Sequence, residues 1–249
     1  MIPTRLSYLK DSIIAANNLS SNNTQTGYPL SNLTDENLWS PWRSQNVAGS
    51  QEILVSFSAT MDINFFGLGF HNLSSNGTHL LKYGSNNNCV DGAATLDMKP
   101  LNFGYFAPST LSYKYFKLSI NESVADGYTE IGEMQMGLYT QVPYNPVIPI
   151  KMFNELNIDY IQTPGDNTRN YRKYMRKGWE FNFIEDNDRI SYASLEGLWE
   201  SKGFDIPFFL CPQPSTYPED ILYVRIETFD FHVDSRDSRP GIMAVKEAN

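Results

Sequence analysis

Tyr28-Pro-Leu-Ser-Asn-Leu-Thr-Asp35, followed by Trp39-Ser-Pro-Trp42-Arg43-Ser44 and the alternating run Gln51-Glu-Ile-Leu-Val-Ser-Phe57, decides the reading of this chain. Pro29, Asn32 and Asp35 are turn formers, and Ile53, Val55 and Phe57 recur at the period of a strand with one buried face. Working outward, Asn17 to Gly27 is rich in Asn, Ser and Thr and reads as loop, while Asp11 to Asn17 fits a short extended piece or one helical turn. Further strands are expected at Asp62 to Phe70, His79 to Gly84, Tyr113 to Ile120 and Glu133 to Tyr139. Short strands separated by turn signals make an antiparallel sandwich.

Gln141-Val-Pro-Tyr-Asn-Pro-Val-Ile-Pro-Ile150 crowds three prolines together, which forbids regular helix and disfavours central strand pairing. We therefore expect a β domain over 1–141, a Pro-rich linker over 142–150 and a second domain over 151–249. In the latter, Trp179, Phe181 and Phe183 alternate on one strand face. Asp188 can cap a helix whose apolar positions are Ile190, Ala193, Leu195, Leu198 and Trp199, and Gly203 stands where a C-cap belongs. Strands follow at Ile206 to Leu210 and Ile221 to Phe229, and the remainder reads as a polar tail. The fold class is mainly β, with one helix embedded in the second half.

The net charge of −9 argues against nucleic acid as the main partner, because phosphate binding needs a basic surface. No apolar run approaches the ~20 residues of a membrane-spanning helix, so no membrane insertion is expected. The start, Met1-Ile-Pro-Thr-Arg-Leu6, lacks the features of a secretory signal. With Cys89 and Cys211 far apart, free thiols and cytoplasmic folding are expected, and the six Asn-x-Ser/Thr sequons read as by-products of an Asn-rich composition. No nucleophile elbow, Walker loop, dinucleotide fingerprint or His-Glu-x-x-His motif occurs, so the chain reads as a non-enzyme. One basic cluster stands out in an acidic protein: Arg169, Arg172, Lys173, Arg176 and Lys177, which is either a solvated face or an assembly interface with an acidic neighbouring subunit.

The pieces from Leu33-Thr-Asp35 through His71-Asn72-Leu73 and Tyr113 to Ile120 to Ile131-Gly-Glu133 resemble, in that order, the discoidin (coagulation factor 5/8 type C) domains among the galactose-binding-like sandwiches. The resemblance covers about 110 residues and implies a jelly-roll sandwich that presents loops to a partner. It implies Trp42 as a core residue and leaves Trp39 as a loop-tip aromatic for stacking on a sugar. Candidate glycan contacts are Trp39, Arg43, His71, Asn72, Tyr83 and Asn86, each with a purely structural alternative in core packing or turn chemistry. The resemblance also implies a structural Ca²⁺ with Asp35 and Glu133 among its ligands, although Glu36-Asn37 stands where the family often has Gly-Asp or Gly-Asn. No other cofactor is expected.

In the second half, Trp179-Glu-Phe-Asn-Phe183, the helix, Gly203 to Phe208 and Tyr223-Val-Arg-Ile226 look like small β domains of tailed-bacteriophage tail proteins. That likeness implies a structural component of a virion tail or baseplate, such as a distal tail or adaptor-like protein. It would fold in the host cytoplasm, form a homo-oligomeric ring, contact other tail proteins and carry the discoidin-like module outward toward protein or host glycan. The alternative is a non-catalytic carbohydrate-binding protein.

Overall fold

The computed structural model describes residues 5–45, 50–99, 101–122, 127–143, 145–162, 168–183, 189–217, 220–231 and 241–248, without the side chains of 147–149, 155–162, 168–175 and 189–192. The protein is mainly β, with antiparallel sheets and one helix. Its strands are β1 (Ser7–Leu9), β2 (Leu19–Ser21), β3 (Trp42–Arg43), β4 (Gln51–His71), β5 (Thr78–Gly84), β6 (Gly92–Leu96), β7 (Leu101–Asn121), β8 (Glu130–Gly137) and β9 (Tyr139–Gln141). They are followed by β10 (Val147–Gln162), β11 (Thr168–Phe183), the helix α1 (Arg189–Lys202), β12 (Phe208–Cys211), β13 (Leu222–Phe231) and β14 (Gly241–Glu247). The chain divides into two compact units: Met1–Val142 with Phe208–Tyr223, and Pro143–Pro207 with Val224–Asn249.

Unit 1 is built on a sheet of order β3-β8-β4-β7-β5-β6, with β2 pairing β4. The two expected strands at 51–57 and 62–70 are one continuous strand, β4, because β7 runs beside it throughout and register shifts absorb the irregular middle. Those shifts reverse the inward face. Ile53, Val55, Phe57 and Ile63 face the main core; after the shift between Ile63 and Phe65, Phe66 and Leu68 do so instead. Trp42, Leu33, Leu81, Phe116, Ile131 and Met134 complete that core. The buried Trp42 indole donates its Nε1–H to Thr24 Oγ1 at 3.1 Å, so its polar atom is satisfied.

The opposite face of β4 and β7 is covered by the segment that returns from the second half of the chain. Phe209 packs on Phe65 with ring centroids 5.6 Å apart, and a Cβ placed on Gly67 would lie 2.8 Å from the Phe209 ring. A Cβ on Gly104 would lie 2.7 Å from Ile221. Glycine at these positions makes the room that Phe209 and Ile221 occupy. β12 pairs with β1, and β1 with β9, which supplies a second layer to the unit. The segment Asp11 to Asn17 is neither strand nor α-helix, and ends in a short 3-10 turn at Ala16–Asn18.

In unit 2, β11 pairs with β10 and with β14, and β14 pairs with β13. The expected polar tail is therefore partly strand: Met243, Ala244 and Val245 are buried between β11 and β13. Pro149 lies in β10 within the register shift between Val147 and Lys151, where the pairing with β11 is interrupted, so its missing N–H costs no ladder bond. The helix closes on Gly203 at φ +52, and the Gly203 N–H reaches Trp199 O at 2.7 Å. Asp188, the expected cap, lies outside the described residues. Cys89 and Cys211 are buried and form no disulfide.

Candidate functional site

The loop entering β3 gives two tryptophans opposite surroundings. Trp42 is 0% exposed and Trp39 is 77% exposed. The loop is held from both sides. Leu38 is buried, the Trp39 N–H donates to Asn37 Oδ1 at 3.2 Å, and the Asn37 N–H donates to Asp35 Oδ1 at 2.9 Å. Beneath it, the Glu36 N–H donates to Glu133 Oε2 at 3.2 Å. Glu36 sits at φ 60, the left-handed conformation that a glycine would take without strain.

Backbone strain continues along the same rim. The β4–β7 ladder ends in a register shift between Gly69 and His71, and there Phe70 (φ 56) and Leu101 (φ 73) both lie in the left-handed region. Leu38 Cδ2 and Phe70 Cβ converge on Gly132, where each would lie 3.1 Å from an added Cβ. Leu101 is 56% exposed. Three apolar side chains of unusual exposure or backbone thus border one end of unit 1, at a kind of position where strain accompanies function.

Glu133 is only 2% exposed, and burial pushes its carboxyl up to about 8. Hydrogen bonds from the Gln135 side chain and the Glu36 N–H oppose that rise, while the nearby Glu36 and Asp35 carboxylates add to it. Gln135 Oε1 is buried without a partner. The nearby oxygen donors therefore include Asp35, Glu133 and Gln135, which suits a hard cation such as Ca²⁺. Such an ion would neutralise the buried carboxyl and tie the Trp39 loop to β8. Among the described residues no three His, Cys, Asp or Glu side chains gather to hold a metal, so such an ion would depend on amide or backbone oxygens.

The other expected contacts are placed as follows. The Arg43 guanidinium lies between the rings of Tyr28 (4.2 Å) and Tyr128 (4.5 Å) and is ion-paired to Glu130. Asn72 spends its amide on backbone, giving Nδ2–H to Tyr128 O at 2.9 Å and accepting the Glu130 N–H at 2.8 Å. Tyr83 packs against Tyr113 with centroids 4.8 Å apart. Asn86 accepts the Asn88 N–H at 3.0 Å, an ordinary turn bond. His71 is 5% exposed; burial, reinforced by His79, lowers it to about 4. His79 Nε2 lies 3.4 Å from Glu122, which also accepts the Ser74 N–H and hydroxyl. Sequence reading missed this buried His79–Glu122–Ser74 group, because Glu122 lies far along the chain from its neighbours Ser74 and His79 and reaches them through β5 pairing with β7.

Of the basic cluster, Arg169, Arg172, Lys173, Arg176 and Lys177 all lie on β11, but the side chains of Arg169, Arg172 and Lys173 are outside the described residues. Lys177 is exposed, and its N–H donates to Glu247 Oε2 at 3.0 Å.

No protein-family model matches the chain, and no curated protein sequence matches it. Similar solved structures include chitosan-binding module 1 of a Paenibacillus sp. IK-5 chitosanase/glucanase, at 11% identity and a TM-score of 0.43 over 51% of this chain and 98% of the module. A Clostridium perfringens module, CpGH89CBM32-4 in complex with GlcNAc-α-1,4-galactose, is 22% identical with a TM-score of 0.41, over 52% of this chain and 94% of its own. A Ruminococcus gnavus GH29 fucosidase in complex with fucose is 14% identical with a TM-score of 0.43, and the match spans 53% of this chain but only 28% of the fucosidase.

Proposed function

We propose that this protein binds carbohydrate without transforming it, through the rim of unit 1 that displays Trp39. The observation that carries this reading is the exposed indole on a braced loop. An aromatic face held out to solvent at little entropic cost is what stacking on the apolar face of a pyranose requires. Leu38 is buried and the loop backbone is tied to Asn37 and Glu133, so the ring is presented by a fixed base. Leu101 extends the rim. Asp35, Glu133 and Gln135 would hold a structural Ca²⁺ under the same loop. The test is a broad glycan array followed by calorimetry on the full chain. Saturable binding lost in Trp39→Ala, with the melting temperature unchanged, supports the reading. Absence of any binding, or equal binding by Trp39→Ala, sinks it.

A second reading, a bacteriophage tail or baseplate component folded in the host cytoplasm, is favoured by one observation in unit 2. The β10–β11 pair runs far beyond the strand that flanks it, as an assembly element would. Immunogold labelling of particles from the producing strain decides it, since a label confined to the soluble fraction rejects a virion position.

A further inference from the structure

β10 and β11 pair from Val147↔Asn182 to Gln162↔Thr168, yet β14 accompanies β11 only from Gly178 to Phe183. Among the described residues, Thr168 to Lys177 has β10 as its only strand neighbour, a reach of about 30 Å at strand rise. An isolated two-stranded ribbon is marginally stable in water, so this arm gains from a surface to lie on. Its charge is opposite to that of the protein: β11 carries five basic residues and the single acid Glu180 in a chain of net charge −9.

The complementary surface is in the same unit. A cleft of about 360 Å³ between α1 and β13 is lined by Glu196, Trp199, Glu200, Phe229, Asp230 and Phe231. Trp199 and Phe229 stack with an interplanar angle of 3° and centroids 5.5 Å apart, and Phe231 packs on Phe229 at 4.8 Å. Carboxylates and aromatic rings lining one cleft suit guanidinium and ammonium groups, which gain both ion pairing and cation–π attraction there. We propose that the occupant is a second copy of this chain: the basic β11 of one copy docks on the α1–β13 cleft of the next. Such a contact is heterologous, and repeated it closes into a ring or grows into a filament. It gives a molecular form to the assembly reading of unit 2 and is independent of glycan binding by unit 1.

The experiment is sedimentation velocity of the full chain over a concentration series, at low and high salt. Concentration-dependent association that weakens with salt is expected. Arg169→Glu/Arg172→Glu/Lys173→Glu and Glu200→Lys/Asp230→Lys should each weaken it by at least about tenfold. Mixing the two variants should restore association, because each then offers the charge that the other lacks, and a restored complex shows that both variants are folded. A protein monomeric at every concentration, association indifferent to either variant, or a mixture that fails to associate overturns the proposal. Because the assay contains no virion, its failure is separable from failure of the tail reading.

Discussion

The β4–β7 and β10–β11 pairs are both long antiparallel ribbons, and they are supported in opposite ways. β4 is flanked by β7, β8 and β2, β7 by β4 and β5, and the two faces are filled by the main core and by the Phe208–Tyr223 segment. Among the described residues, β11 meets a second strand over six residues, Gly178 to Phe183. Equal backbone pairing thus yields a scaffold in one place and an arm in the other; among the described residues the difference lies in how many strands flank the pair, since a lone two-stranded pairing contributes little net stability.

The largest expected effect breaks the scaffold. Trp42→Ala should cost about 3–5 kcal/mol by opening a cavity in a fully buried site, whereas Trp39→Ala should change stability by less than about 0.5 kcal/mol. Chemical denaturation of both variants checks the contrast, and similar losses would contradict the assigned burial.

Acidity probes the buried groups of the same scaffold, and the two shifts act in opposite senses. His71 is depressed to about 4 against an ordinary 6.5, so the unfolded chain takes up its proton first and stability falls as pH drops from 6.5 toward 4, by up to about 3 kcal/mol. Glu133 is raised to about 8 against 4.5, so its contribution is full below 4.5 and is lost as pH rises toward 8, by up to about 5 kcal/mol. The two cancel between 4.5 and 6.5, which should appear as a plateau in stability against pH. Glu133→Gln should flatten the alkaline limb, and Ca²⁺ should do the same if it binds there; thermal melts across this range with and without the ion decide both.

Smaller effects sharpen the comparison. Gly67→Ala drives a methyl against the buried Phe209 and Phe65 rings and should cost about 1–3 kcal/mol. Glu36→Gly relieves a left-handed backbone and removes a carboxylate that disfavours ionised Glu133, and should stabilise unit 1 by about 1 kcal/mol. Denaturant midpoints measure both. The arm variants described above should leave the monomer within about 0.5 kcal/mol while altering its association, the reverse of what core variants do.

Most of the sheet was legible in advance because one buried face imposes an alternation, as at Ile53, Val55 and Phe57. Helix α1 was legible from its apolar spacing and from Gly203. The strand β14 was not, because Gly241 to Glu247 follows a charged stretch and shows its partners only once β11 and β13 flank it. The candidate rim was half legible. An aromatic two residues before a proline marks a loop, but nothing local says that Phe70 and Leu101 will both be strained beside it. His71 and Asn72 looked like ligand contacts because imidazole and amide groups serve either purpose; burial of the one and the backbone bonds of the other are set by distant residues.

The sequence by itself determined the mainly β character, the single helix, the acidic balance and the basic cluster, since these follow from local periodicity and composition. Tertiary structure alone decided that Phe208–Tyr223 covers the back of the first sheet, that Trp42 is enclosed while Trp39 is bare, and that β11 outruns its neighbour. Those outcomes depend on which apolar surfaces meet, and apolar contact is non-directional: many pairings satisfy the same pattern, and only close packing around residues such as Gly67 selects one.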